Sequence, residues 1–191
     1  MKVIFLDHDG VICLSNNWGN RFKKQKDWGG RKLSMTTLEM PVEYRFDNFD
    51  EKAVNVLNEI LEETGAEIVV SSDWKRWATV EEMGEYYESK GIIKKPIALT
   101  TNLGQCNWYN GMTWIWSPRW DSEMTRVIEI KQFLHDHPEV THWVSIDDLD
   151  MGKNGEEWKD WGLDNFVLTP KGDEGIKQSG IKDKIIQFLN P

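Results

Sequence analysis

Asp7 and Asp9, separated by one histidine, follow the apolar run "VIFL". In an extended strand alternate side chains share a face, so the two carboxylates project together while His8 turns away from them. Adjacent carboxylates repel, and one of them takes up a proton unless a cation lies between them. The spacing therefore implies a bound cation.

Two more apolar runs end in polar pairs: "IVVSS" stops at Ser71 and Ser72, and "VSIDD" at Asp147 and Asp148. Each pair alone would suit an ordinary turn. Three such ends together argue for a site, because an open parallel α/β sheet binds its ligands beyond the carboxyl ends of its strands, where the strand order reverses.

The elements that must position these residues are legible. Val3–Leu6 reads as a first strand. A helix starts at the N-cap Asp50, places Val54, Leu57, Ile60 and Leu61 on one face and stops at Thr64-Gly65. It leads to "EIVVSSDW", a second strand. "TVEEMGEYYESKG" opens with a capping box, Thr79 with Glu82, and closes at Gly91. Ile97–Thr101 reads as a third strand, Ser122–His135 as a helix, "HWVSIDDLD" as a fourth strand and Asn165–Thr169 as a fifth. Ile181, Ile185, Ile186 and Leu189 stripe a last helix. Strands alternating with amphipathic helices predict a parallel sheet covered by helices.

Two stretches break this rhythm. Residues 14–49 carry "NRFKKQKDWGGRK", in which Arg21, Lys23, Lys24, Lys26, Arg31 and Lys32 are opposed only by Asp27, a basic island in a chain of net charge −9. Residues 102–121 carry Trp108, Trp114, Trp116 and Trp120 in a loop too long to be a mere connector.

Composition sets the outer bounds. A chain of 191 residues suits one domain, 1–191, with a small insert. The acidic balance argues against broad attraction to nucleic acid or anionic membrane, though not against a local basic patch. No apolar run approaches the roughly 20 residues of a membrane span, and the first is too short for a signal peptide. A cytoplasmic protein is expected. Cys13 and Cys106 show no metal-like spacing and read as buried thiols, and His135, His137 and His142 suggest no metal site either.

The motifs resemble those of the haloacid dehalogenase-like (HAD) superfamily of phosphatases. "FLDHDGV" is similar to its first motif, "IVVSS" to its second and "VSIDD" to its fourth, in the right order from Lys2 to about Thr169. The resemblance implies a Rossmann-like three-layer sandwich with a central five-stranded parallel sheet and a small cap or none. It implies Asp7 as nucleophile, forming an aspartyl-phosphate, and Asp9 as the acid that protonates the leaving oxygen and later takes a proton from water. It also implies Mg²⁺ held by Asp7, the backbone carbonyl of Asp9 and an acid from Asp147 or Asp148.

Ser71, with Ser72 as the alternative, would hydrogen-bond a phosphoryl oxygen, and Gly10 lets the chain turn after the strand. For the third motif's cation Arg126 is favoured over Lys131, and Lys75 is a further candidate for phosphate contact. Asp150 reads as an exposed loop acid, His8 as a spacer and Trp143 as core. Trp74, Trp77 and the loop around Trp114 are candidates for the substrate entrance. The resemblance also places a flap hairpin within 14–49.

"SSDWK" is similar to the "SSxW"-plus-basic pattern of the branch found in Swiss Army Knife RNA repair proteins. The expected activity is Mg²⁺-dependent hydrolysis of a phosphomonoester on a nucleotide or a nucleic-acid end. A phosphatase of a small metabolite or free nucleotide, and a catalytically silent binding module, are the alternatives. The expected partner is thus a phosphorylated substrate and no membrane.

Overall fold

The computed structural model describes residues 1–28, 37–103, 122–152 and 162–190, together with the backbone of two short strands at 108–109 and 114–115. In chain order the elements are β1 (Lys2–Leu6), α1 (Asn20–Asp27), α2 (Val42–Arg45), α3 (Glu51–Thr64), β2 (Glu67–Val70), α4 (Val80–Ser89), β3 (Ala98–Leu99), β4 (Trp108–Tyr109), β5 (Trp114–Ile115), α5 (Ser122–Asp136), β6 (His142–Asp147), β7 (Phe166–Leu168) and α6 (Ile181–Leu189). Local chemistry fixes several ends. The Asp50 side chain accepts from the Ala53 amide, Gly65 closes α3 in the left-handed region, and Thr79 and Glu82 form the expected capping box.

Five strands form one parallel sheet in the order β3-β2-β1-β6-β7. The chain moves outward from β1 through β2 to β3, then returns to lay β6 on the other side of β1. The order therefore reverses between β1 and β6, whose Leu6 and Ile146 are in register.

Both faces of this sheet are covered, which is why its strands are continuous apolar runs. Alternation sorts their residues into two cores. Ile4, Leu6, Ile68, Val70, Val144 and Ile146 pack with α3, α4 and α6, whereas Val3, Phe5 and Val69 pack with Val127, Ile130 and Phe133 of α5. Trp143 lies against the second core, as expected.

The stretch 14–49, where a flap hairpin is expected, is described except at residues 29–36. Its described residues hold a short 3-10 turn at Ser15–Asn17, α1, another at Thr37–Glu39 and α2, with no hairpin. Asp47 explains the start of α1: its carboxylate accepts from the Gly19 amide at 3.1 Å and the Arg21 amide at 2.6 Å, two donors that helix geometry leaves without partners. Buried Arg45 ties the far end to the domain, donating to the Met40, Leu38 and Trp77 carbonyls and to both Glu82 carboxylate oxygens. An antiparallel pair does occur inside the tryptophan-rich stretch, between β4 and β5. Arg31, Lys32, Cys106 and the side chains at Trp108, Trp114, Trp116 and Trp120 lie outside the described residues. Among the described residues no helix is long and apolar enough to cross a membrane.

Candidate active site

The alternation that sorts the core also aims the site. Phe5, Val69 and Ser145 precede Asp7, Ser71 and Asp147 by two positions, so these three side chains emerge on the α5 side of the sheet's carboxyl edge. Backbone bonds hold them level: Asp7 N–H donates to the Ile146 carbonyl at 3.1 Å and Ser71 N–H to the Leu6 carbonyl at 2.9 Å.

From α5, Arg126 reaches this edge. Its Nη1 lies 2.6 Å from Asp147 Oδ2 and 3.0 Å from Asp7 Oδ1, and all three side chains are buried. Asp147 Oδ1 accepts from the Leu149 amide at 2.9 Å. One carboxylate oxygen from each of Asp7, Asp147 and Asp148 lies within 4.8 Å of the others.

A single guanidinium does not neutralise three acids. Burial, and then the charge of Asp147, raises the Asp7 carboxyl well above the usual range, against the pull of Arg126. Burial likewise pushes Asp147 up to about 6 and raises Asp148. Burial alone would lower Arg126; Asp7 and Asp147 outweigh it and raise it. Such carboxyls favour a further cation.

Asp9 stands apart from this group. Its Oδ2 accepts the indole N–H of Trp74 at 2.8 Å, and burial raises its carboxyl while that bond holds it down. The turn between them needs Gly10, whose φ of 69° lies in the left-handed region. A Cβ there would also fall 2.5 Å from Asp148 Oδ2. His8 faces the opposite layer, as strand alternation requires, with Nε2 2.6 Å from the Tyr87 hydroxyl.

The two serines separate cleanly. Ser72 Oγ accepts from the Trp74 amide and caps the 3-10 turn Asp73–Trp77, whereas buried Ser71 Oγ has no hydrogen-bond partner among the described residues. Lys75, expected at the phosphate, is committed inside the fold: its ammonium pairs with Glu129 and donates to Thr100 Oγ1 at 2.8 Å and the Thr101 carbonyl at 3.3 Å. Trp74, expected at the entrance, is buried between Phe46 and Phe49, both stacked on its ring. Trp77 is exposed, as are Lys131 and Asp150.

Sequence reasoning passed over Asp47, whose capping role joins residues far apart in the chain. It also passed over Trp18, which is half exposed and donates its indole N–H to the Cys13 carbonyl at 3.2 Å. A Cβ on Gly172 would lie 3.9 Å from Trp18 Cη2 and 4.0 Å from Gly10 Cα, which places this indole beside the turn after β1. The signal was present as an aromatic close behind the first motif.

The residues fit a hard divalent cation. Three carboxylates converge with raised proton affinity, and Arg126 and the Leu149 amide engage Asp7 Oδ1 and both Asp147 oxygens, leaving Asp7 Oδ2 and the Asp148 carboxyl without a hydrogen bond or salt bridge from another described residue. A buried Ser71 hydroxyl, unpartnered among the described residues and on the strand beside Asp7, suits an oxyanion.

A parallel Rossmann-like sheet with an acidic cluster at its switch point is the architecture expected of the HAD class, a superfamily of phosphatase-type hydrolases. The model of the family described as the HAD domain in Swiss Army Knife RNA repair proteins matches residues 3–180. The chain belongs to that family. No curated protein and no solved structure matches it significantly.

Proposed function

We propose that this protein is a Mg²⁺-dependent phosphomonoester hydrolase acting on nucleotide or nucleic-acid phosphate ends. The observation that carries the reading is the meeting of Asp7, Asp147 and Asp148 at the sheet's switch point, with Arg126 paired to the first two and the Ser71 hydroxyl, unpartnered among the described residues, on the strand beside Asp7.

Each residue has a role its surroundings support. An oxygen of Asp7 forms a bond to phosphorus as the bond from phosphorus to the leaving oxygen breaks, and Asp9 passes its proton to that oxygen. Asp9 then removes a proton from water, the water oxygen bonds to phosphorus, and Asp7 is released with inorganic phosphate. Burial favours the protonated Asp9 that the first half needs, while Trp74 fixes its orientation. Ser71 donates to a phosphoryl oxygen, and Arg126 keeps Asp7 and Asp147 in place. Asp147 already accepts from Arg126 and Leu149, so Asp7 and Asp148 are the carboxylates with oxygens to spare for the ion. When bound, Mg²⁺ supplies the positive charge that lets a phosphate dianion approach carboxylates.

The nucleic-acid end, rather than a small metabolite, is supported by the family's description and by the cations of α1 close behind the first motif. Hydrolysis of an aryl phosphate should require Mg²⁺, stop with EDTA and be lost in Asp7→Asn. Oligonucleotides phosphorylated at the 3′ or 5′ end should then be preferred over mononucleotides. No turnover of any phosphomonoester would overturn the reading.

A further inference from the structure

Two lysines from distant parts of the chain converge on one amide oxygen. Lys24 of α1 and Lys90, the residue after α4, place their ammonium groups 3.3 and 3.1 Å from Asn48 Oδ1. Both also lie over the Tyr86 ring, at 5.7 and 5.2 Å from its centroid. Each ammonium has three N–H donors, and neither forms a salt bridge among the described residues. The nearby Asp47 carboxylate is occupied by the start of α1 and by Arg21.

Like charges brought together without a direct ion pair cost energy, and an anion between them reverses the sign. Burial and then Lys90 lower the Lys24 ammonium to about 8, against the weaker opposing pull of Asp47 and Glu43, and burial lowers Lys90 against Glu43. Both side chains remain half-buried rather than sealed, so a ligand can reach them.

We propose that Lys24 and Lys90 form a phosphodiester-binding subsite that holds the strand of a single-stranded polynucleotide whose terminal phosphate lies at Asp7. The inference rests on the phosphatase reading above and adds to it where the rest of the substrate goes. Asp9, which serves the leaving oxygen, fixes the direction, because the polymer continues from that atom. Trp74, which donates to Asp9, meets the Tyr86 ring edge-on at 6.2 Å between centroids, and both lysines lie over that same ring, so the pair sits in the layer toward which Asp9 turns. The occupant is a polyanion because the terminal phosphate already has its own site at Asp7 and Ser71. A second pair of cations answers a second phosphate.

The test measures binding of a short fluorescent single-stranded RNA with a terminal phosphate, by anisotropy, in an Asp7→Asn background that does not turn it over. Lys24→Gln with Lys90→Gln should weaken binding about tenfold. It should also flatten the slope of log affinity against log salt by about 0.7 per lost phosphate contact. Lys24→Arg with Lys90→Arg should keep the slope, and matching thermal melts would show that the fold is intact.

An unchanged slope in the glutamine variant overturns the subsite while leaving the phosphatase reading standing. Equal weakening of a mononucleotide also overturns it, since the pair would then serve the terminal phosphate itself. A lost slope in a protein whose wild type hydrolyses no phosphomonoester would support the subsite and sink the enzyme.

Discussion

Trp74 donates its indole N–H to Asp9 Oδ2 at 2.8 Å, across 65 positions of sequence. A donor on a carboxylate stabilises its charged form, so this bond opposes the burial that raises Asp9. Trp74→Phe keeps a ring between Phe46 and Phe49 but removes the donor. Asp9 should then hold its proton to higher pH, and the alkaline limb of the kcat/KM profile should move upward. A limb that stays in place would separate Asp9 from the acid role.

Arg126 is the cation shared by two buried acids. Arg126→Ala leaves Asp7 and Asp147 facing each other without it, and loss of one partner from a buried ion pair costs about 3–5 kcal/mol. Denaturant unfolding in EDTA should show that loss. Mg²⁺ should raise the melting temperature of the variant more than that of the wild type, because the ion takes over the missing charge. Equal stabilisation would place the ion elsewhere.

Gly10 is demanded twice, by its positive φ and by Asp148 Oδ2 lying where a Cβ would go. Gly10→Ala should therefore displace an acid of the metal group rather than merely strain a turn. Mg²⁺ affinity measured by calorimetry should fall about 10–100-fold, as when a residue supporting metal ligands is lost. An unchanged affinity would remove Asp148 from the ion's surroundings.

His8 is sealed against Tyr87, and burial followed by the Arg126 charge lowers its imidazole to about 3. An unfolded chain takes up this proton near pH 6.5 and the folded one does not. The contribution is therefore complete above 6.5 and is lost as pH falls from there toward 3, by about 2 kcal/mol at pH 5. Asp7 and Asp147, with raised carboxyls, act in the opposite sense. They are common to wild type and His8→Gln, so the difference in unfolding free energy between the two, followed from pH 7 to 5, isolates the histidine. A constant difference would contradict its neutral burial.

Periodicity and end chemistry made the sheet and its helices legible before any coordinates. Asp50, Gly65, Thr79 and Glu82 act on backbone groups within a few residues, so their effect is written locally. The same alternation that fills two cores also sends Asp7, Ser71 and Asp147 to one side. The helix α1 was harder to read, because its start depends on Asp47 reaching back across the chain.

What sequence alone determined was which chemistry the strand ends could offer: acids, a hydroxyl and a glycine at fixed places along apolar runs. Tertiary structure decided which polar groups remained free to use it. Lys75 and Ser72 sit beside the second motif as plainly as Ser71 does. Glu129 and Thr100 nevertheless take up the ammonium, and the Trp74 amide takes up one hydroxyl. Hydrogen-bond partners are set by contacts between distant segments, whereas strand direction is set by neighbours. For that reason the location of the site was readable in one dimension, and its unoccupied donors and acceptors only in three.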